Sequence, residues 1–249
     1  MFPTLDVDRV AADLNMPEFT RRSTGRLALL RENRALLLLV ALFLFFFALT
    51  SVARTAWLLE WDHAITTAVQ RGRTPLLDLL AEGISLGGDA LPLVVLGALA
   101  ARELLRQGRP MAARFMVAAL LALPLNVAIK AWVGRPRPAG DVQVIVPVLG
   151  LSFPSGHSMA SALVFGFLAF LVWVHTRERR QRVLATSLLA TAPVLVGLSR
   201  IYLGAHWLSD VIGGWTVGLF LLLLFAEFYK VLARDEVINQ PSAALGNVG

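Results

Sequence analysis

Ala35-Leu-Leu-Leu-Leu-Val-Ala-Leu-Phe-Leu-Phe-Phe-Phe-Ala-Leu-Thr-Ser-Val-Ala53 runs for nineteen residues without a charged side chain. A helix rises about 1.5 Å per residue, so this stretch is long enough to cross the roughly 30 Å hydrocarbon core of a bilayer. Ser51-Val52-Ala53 offers the small residues a signal peptidase would want, yet a long polar segment precedes the run, which therefore reads as a signal anchor. Outward from it, apolar runs recur at Ala90–Leu105, Met111–Val133, His157–His175, Val183–Ser199 and His206–Leu232. The expectation is an all-α membrane protein with six transmembrane helices. Between the first two lies Trp57–Gly88, which mixes Glu60, Asp62, His63, Arg71, Arg73, Asp78 and Glu82 with apolar residues at helical spacing. It reads as an interfacial helical segment with Trp57 and Trp61 at headgroup level. Pro124 and Pro193 fall inside spans and are expected to kink them.

Composition agrees with a bilayer. The 249 residues are 57% hydrophobic and 16% charged, with a mean hydropathy of +0.67. The formal charge of +6 comes from basic residues lying between apolar runs, so it reads as a topology signal, not a nucleic-acid surface. Sixteen of the 23 basic residues fall on one side of the six-helix scheme. The positive-inside rule then puts both termini in the cytoplasm. This divides the chain into a cytoplasmic segment 1–34, a membrane domain 35–233 and a disordered cytoplasmic tail 234–249. Absent cysteine excludes disulfides, zinc–thiolate sites and cysteine nucleophiles.

Three polar clusters interrupt the outer ends of the spans, all on the non-cytoplasmic side. They are Lys130-Ala-Trp-Val-Gly-Arg-Pro-Arg137-Pro138, Pro154-Ser155-Gly156-His157, and Ser199-Arg200-Ile-Tyr-Leu-Gly-Ala-His206-Trp-Leu-Ser-Asp210. An ionisable group at membrane depth costs about 2.5–3.5 kcal/mol on insertion scales, so such a gathering needs a chemical reason. Lys130, Arg137 and Arg200 supply three cations suited to a multiply charged oxyanion. Ser155 and Gly156 open a helix, whose free N–H groups favour phosphate, and glycine lets the backbone approach closely. His206 and Asp210, four apart, share a face if helical. The carboxylate then fixes one imidazole nitrogen and leaves the other as a nucleophile. His157 can serve as general acid toward a leaving oxygen. Positioning and charge stabilisation suffice for phosphoryl transfer. With Asp210 committed to His206 and Asp141 alone, neither a metal nor a cofactor is expected.

The set Lys-x6-Arg-Pro, Pro-Ser-Gly-His and Ser-Arg-x5-His-x3-Asp resembles the complete three-part signature of the type 2 phosphatidic acid phosphatase (PAP2) superfamily. That superfamily includes bacterial undecaprenyl diphosphate and phosphatidylglycerophosphate phosphatases. The match runs from Lys130 to Asp210 without a substitution at a signature position. The resemblance implies that Lys130, Arg137, Ser155, Gly156 and Arg200 bind phosphate. It also implies that His206 forms a phosphohistidine, that His157 acts as acid and then base, and that Asp210 supports His206. It further implies an integral enzyme of the bacterial inner membrane that hydrolyses a lipid phosphate or diphosphate and faces the cell exterior. A phosphotransferase with the same intermediate is the nearest alternative, and a non-hydrolytic lipid-phosphate transporter is another. The lipid itself and the oligomeric state are not readable.

Neighbouring residues receive plainer readings. His63 and His175 are packed or snorkelling side chains. Arg135 is either a fourth phosphate ligand or an interfacial anchor. Trp132, Trp207 and Tyr202 are belt aromatics or line a lipid path. Asn126 is a helix–helix hydrogen-bond donor. Asp89 is a possible helix cap with no assigned chemistry.

Overall fold

A computed structural model of the chain describes the backbone of residues 19–140, 142–145 and 149–238, and the side chains of 34–140, 142–145 and 149–232. The described residues are helical and contain no strand. In chain order the helices are α1 Phe19–Val52, α2 Ala56–Gln70, α3 Pro75–Leu86, α4 Ala90–Arg106, α5 Pro110–Leu121, α6 Leu125–Val133, α7 Gly156–His175, α8 Arg179–Tyr202 and α9 Leu208–Ile238. The chain falls into two compact units, Met1–Val40 and Ala41–Gly249, and α2 to α9 all belong to the second.

Five stretches are long and apolar enough to cross a membrane: Arg34–Val52, Pro110–Val133, Gly156–His175, Arg179–Tyr202 and Leu208–Leu232. The protein is a multi-pass membrane protein. The sixth expected span, Ala90–Leu105, is shorter than a crossing requires. Its helix α4 qualifies only together with α3, from which it turns by 49°. The expected single interfacial segment 57–88 is therefore two helices. Thr74 caps α3 by accepting a hydrogen bond from Leu77 N at 3.2 Å, and Pro75 follows at the first helical position. That pair is a strong start signal inside the segment. On α2, Trp57 and Trp61 are exposed as an interfacial helix would have them, but Asp62 is buried.

Pro124 has the expected effect, since Ala122–Pro124 breaks the helix between α5 and α6. Pro193 does not break α8; its carbonyl accepts the Trp215 indole N–H at 3.0 Å. Residues 19–34, expected in the cytoplasmic segment, continue α1 as helix, and 234–238 continue α9; residues 1–18 and 239–249 of the two expected tails lie outside the described residues.

The core sits among α5, α7 and α9. Met116, Phe167, Leu171 and Tyr229 form one buried cluster, and Ala119, Met159, Leu163, Val217 and Leu221 another. Glycine lets α9 press against α7 at two points. A Cβ at Gly214 would lie 2.5 Å from Ser155 O, and one at Gly218 would lie 2.6 Å from Met159 O. This contact holds the start of α7, with Ser155 to His157, against the start of α9, with Asp210. Large apolar side chains such as Phe43, Phe47, Leu121, Val127 and Leu188 are exposed, as a surface facing acyl chains requires.

Candidate active site

Helix α6 ends where Gly134 takes a left-handed conformation (φ 65°) and its N–H returns to Lys130 O at 2.9 Å. A glycine cap of this kind turns the chain without Cβ strain and satisfies a terminal carbonyl. Arg135-Pro136-Arg137-Pro138 then leaves the helix, kept non-helical by the two prolines. Lys130, in the last turn of α6, donates to Leu151 O at 2.7 Å and Ser152 O at 2.9 Å. Arg137 donates to Gly150 O at 3.1 Å, to Ala205 O at 2.7 Å and to His206 Nε2 at 3.2 Å. The two cations thus pull the 150–152 and 205–206 segments onto one point.

His206 is buried, and it is not helical: it lies in the bend before α9. The expected pairing with Asp210 across one helical turn is replaced by a different geometry. Asp210, in the first turn of α9, accepts from Trp207 N at 2.9 Å, an N-terminal position where a carboxylate is favoured. The same oxygen, Oδ2, lies 3.3 Å from His206 Nδ1 and accepts from Ser152 Oγ. A carboxylate at Nδ1 places the ring proton there, so the Nε2 lone pair is left facing Arg137. Burial pushes the His206 imidazole down to about 3, opposed by its hydrogen bond to Asp210. The ring is therefore neutral near pH 7, as a nitrogen nucleophile must be.

Ser155 occupies the N-cap of α7, where its Oγ accepts from Ser158 N at 3.4 Å. Its own N–H reaches Asp210 O at 2.9 Å, which ties the beginnings of α7 and α9 together. A Cβ on Gly156 would lie 3.0 Å from Asn126 Oδ1. Asn126 in turn donates to Pro154 O at 3.3 Å in the loop before α7 and reaches Met159 Sδ on α7 at 3.7 Å, the second contact being the interhelical one expected of it. His157 Nε2 lies 2.5 Å from Asp89 Oδ1. Asp89 stands at the N-cap position of α4 but makes no capping hydrogen bond, so its carboxylate is spent on the histidine.

Arg200, in the last turn of α8, donates from Nη1 to Ser85 Oγ at 2.5 Å, while its buried Nε has no partner among the described residues. It lies close enough to Arg137 for the two charges to oppose one another, and Lys130 feels both. Like charges gathered in this way favour a bound polyanion. A 190 Å³ cavity lined by Glu82, Ser85, Asp89, His157 and Arg200 opens on one side of the cluster. A 670 Å³ cavity lined by Leu59, Glu60, His63, Pro136, Arg137 and Trp207 opens on another. The structure thus brings Lys130, Arg137, Ser155, Gly156, His157, Arg200, His206 and Asp210 to one end of the helix bundle. Among the described residues no three His, Asp or Glu side chains gather as a metal-ligand set, and Asp141 lies outside those residues.

Several plainer readings change. Arg135 is neither a phosphate ligand nor an interfacial anchor: it is fully buried, with Nη1 2.6 Å from Asp210 Oδ1 and Nη2 2.7 Å from Asp62 Oδ2. Trp207 is buried beside His63, their rings 6.4 Å apart, instead of sitting in a belt. Tyr202 donates its hydroxyl to Asp78 at 2.7 Å. Trp132 is exposed, as a belt residue would be. His175 is packed at the end of α7, its Nε2 2.9 Å from Tyr229 Oη. Asp62, Asp89, Ser152 and Ser209 were not legible as site residues; each is distant in sequence from its partner, and none occupies a specified motif position, Ser209 filling one of the variable places between His206 and Asp210.

The sequence profile of the PAP2 superfamily matches residues 111–234. Over 205 residues the chain is 35% identical to phosphatidylglycerophosphatase B of Bacillus subtilis, covering 78% of this chain and 96% of that protein. The chain belongs to the PAP2 superfamily. The crystal structure of a transmembrane PAP2 type phosphatidylglycerolphosphate phosphatase from Bacillus subtilis superposes with a TM-score of 0.68 at 32% identity, covering 82% of this chain and 98% of that one. The crystal structure of Aquifex aeolicus LpxE shares the fold, with a TM-score of 0.55 at 24% identity over 70% of this chain and 97% of that chain. The PAP2 match spans all three clusters, so the helices that carry the site are those the family shares.

Proposed function

We propose that the chain is a membrane lipid phosphatase that hydrolyses a phosphomonoester or diphosphate of a lipid through a phosphohistidine intermediate. The observation that carries this reading is the pair of contacts at His206: Asp210 on Nδ1 at 3.3 Å and Arg137 Nη1 on Nε2 at 3.2 Å. One nitrogen is fixed and the other faces a phosphate-binding cation.

The cycle follows from these positions. Lys130, Arg137 and Arg200, with the N–H groups that open α7 at Ser155 and Gly156, hold the phosphoryl oxygens. The His206 Nε2 lone pair attacks phosphorus as the bond to the leaving oxygen breaks in line. His157 gives its proton to that oxygen. Water then attacks the phosphohistidine, His157 takes the water proton, and phosphate leaves with His206 neutral again. No metal enters this cycle.

The lipid class is drawn from the relative, a phosphatidylglycerophosphatase by name; undecaprenyl diphosphate and phosphatidate present the same phosphate end. Counting α3 and α4 as one bent span gives six crossings of the bacterial inner membrane within residues 35–233. With both termini in the cytoplasm, as the distribution of arginine supports, the site opens to the exterior.

The test is phosphate release from each lipid by the purified chain in detergent without an acceptor, alongside capture of labelled phosphoryl-enzyme. Hydrolysis with an acid-labile phosphoryl group absent from His206→Ala is expected. Release only when an acceptor lipid is added would make the protein a phosphotransferase. Full activity in His206→Ala would sink the mechanism.

A further inference from the structure

Behind Asp210 stands a second layer of charge that the motifs do not contain. Arg135 is buried completely and lies between two carboxylates. Its Nη1 donates to Asp210 Oδ1 and to Ser209 Oγ, both at 2.6 Å, and its Nη2 donates to Asp62 Oδ2 at 2.7 Å. Asp62, at 2% exposure, is fixed by Ser209, whose N–H reaches Oδ1 at 2.9 Å and whose hydroxyl reaches Oδ2 at 2.5 Å. We infer that Asp62 and Arg135 are positioning residues for the reaction proposed above, a buried Asp62–Arg135–Asp210 line that sets the carboxylate orienting His206.

The argument is one of satisfied lone pairs. Asp210 Oδ2 already serves Ser152 Oγ, Trp207 N and His206 Nδ1. Its remaining freedom is rotation about the carboxyl axis, which would exchange the two oxygens and swing the partner of His206 away. Arg135 on Oδ1 removes that freedom, because a planar guanidinium fixes direction as well as distance. The arginine would be free to pivot if held at one end only. Asp62 holds its other nitrogen, and Ser209, the neighbour of Asp210 in sequence, binds both. A buried cation between two buried anions is a costly arrangement that an apolar core would replace at no loss of stability. Its presence directly behind the nucleophile's partner fits a role in geometry.

The test uses the full chain in detergent, as Asp62→Asn and Arg135→Lys. Both keep size and remove one feature: the charge of Asp62, or the fork of Arg135. Two readouts are taken. In steady state, kcat should fall about 10- to 100-fold with KM changed less than about threefold, the range for outer partners that orient a histidine. In nitrogen NMR of the histidine-labelled protein, which has four histidines, His206 should hold its proton on Nδ1 in the wild type and as a mixture of tautomers in the variants. Variants that fold and keep kcat within twofold overturn the inference. So does a fall in kcat with the His206 tautomer unchanged, which would make the two residues purely structural. If Asp62→Asn does not fold, Ser209→Ala removes one hydroxyl from the line with every charge kept and carries the same two readouts. Should the wild type hydrolyse no lipid phosphate, the functional reading fails, and the tautomer measurement alone still decides this one.

Discussion

His157 Nε2 and Asp89 Oδ1 lie 2.5 Å apart, joining the first turn of α7 to the joint between α3 and α4. An imidazole with a carboxylate on one nitrogen can present only the other to a substrate. That nitrogen acts as the proton donor in the proposed cycle, and its position depends on Asp89.

Asp89→Asn should therefore slow hydrolysis in proportion to how much the leaving oxygen needs a proton. A fall in kcat of about 10- to 100-fold is expected on a lipid phosphomonoester, whose alkoxide leaves poorly. On an aryl phosphate such as p-nitrophenyl phosphate the fall should be several times smaller. Equal losses on both substrates would remove His157 from the acid role.

The α7–α9 contact predicts a stability effect with a site effect attached. In Gly214→Ala the new Cβ would lie 2.5 Å from Ser155 O, a backbone atom that cannot turn aside. Overpacking of this kind costs about 1–3 kcal/mol. The melting temperature in detergent should fall, and kcat should fall with it because Ser155 is tied to Asp210. Gly83→Ala, inside α3 where a Cβ would meet nothing within 4 Å, is the control and should not lower stability, since alanine is the better helix former.

His206 links stability to pH. Its native pKa of about 3 lies below the 6.5 of an unperturbed imidazole, so the unfolded chain takes up this proton first. The stability due to neutral His206 is complete above pH 6.5 and is lost as pH falls from there toward 3. His206→Gln should have a flatter stability profile over that window, by at most about 1.4 kcal/mol per pH unit. Parallel profiles for the two proteins would mean that the buried ring is already solvated.

Metal removal offers a separate check. In the proposed cycle Lys130, Arg137, Arg200 and the N-terminal turn of α7 supply the charge stabilisation, so turnover should survive EDTA without loss. An activity abolished by EDTA and restored by magnesium would require a different arrangement at the phosphate.

Which parts of this were legible follows from how each signal is encoded. Span positions are local, because apolar residues adjacent in sequence make one helix, so α1, α5–α6, α7 and α9 fall where the hydropathy puts them. The three motifs are equally local, and the cations and histidines they contain do converge. The α2–α3 break was signalled by Thr74-Pro75 but masked by the mixed composition around it. Asp62 and Asp89 were beyond reach. An aspartate on an amphipathic helix and one before a helix look the same whether they face water or a buried partner. Arg135 shows the limit most sharply: the motif spacing marks Lys130 and Arg137, while Arg135 between them turns the other way, into the protein.

The bonds behind His206 close very long loops, since Asp62 and Ser209 are 147 residues apart, Asp62 and Arg135 are 73 apart, and Arg135 and Asp210 are 75 apart. Such contacts form late, because each must first overcome the entropy of the chain between its ends. During synthesis, therefore, Asp62 and Arg135 can pair with each other but cannot reach Asp210 and Ser209 until α9 emerges, and His206 acquires its oriented partner only once that helix is in place.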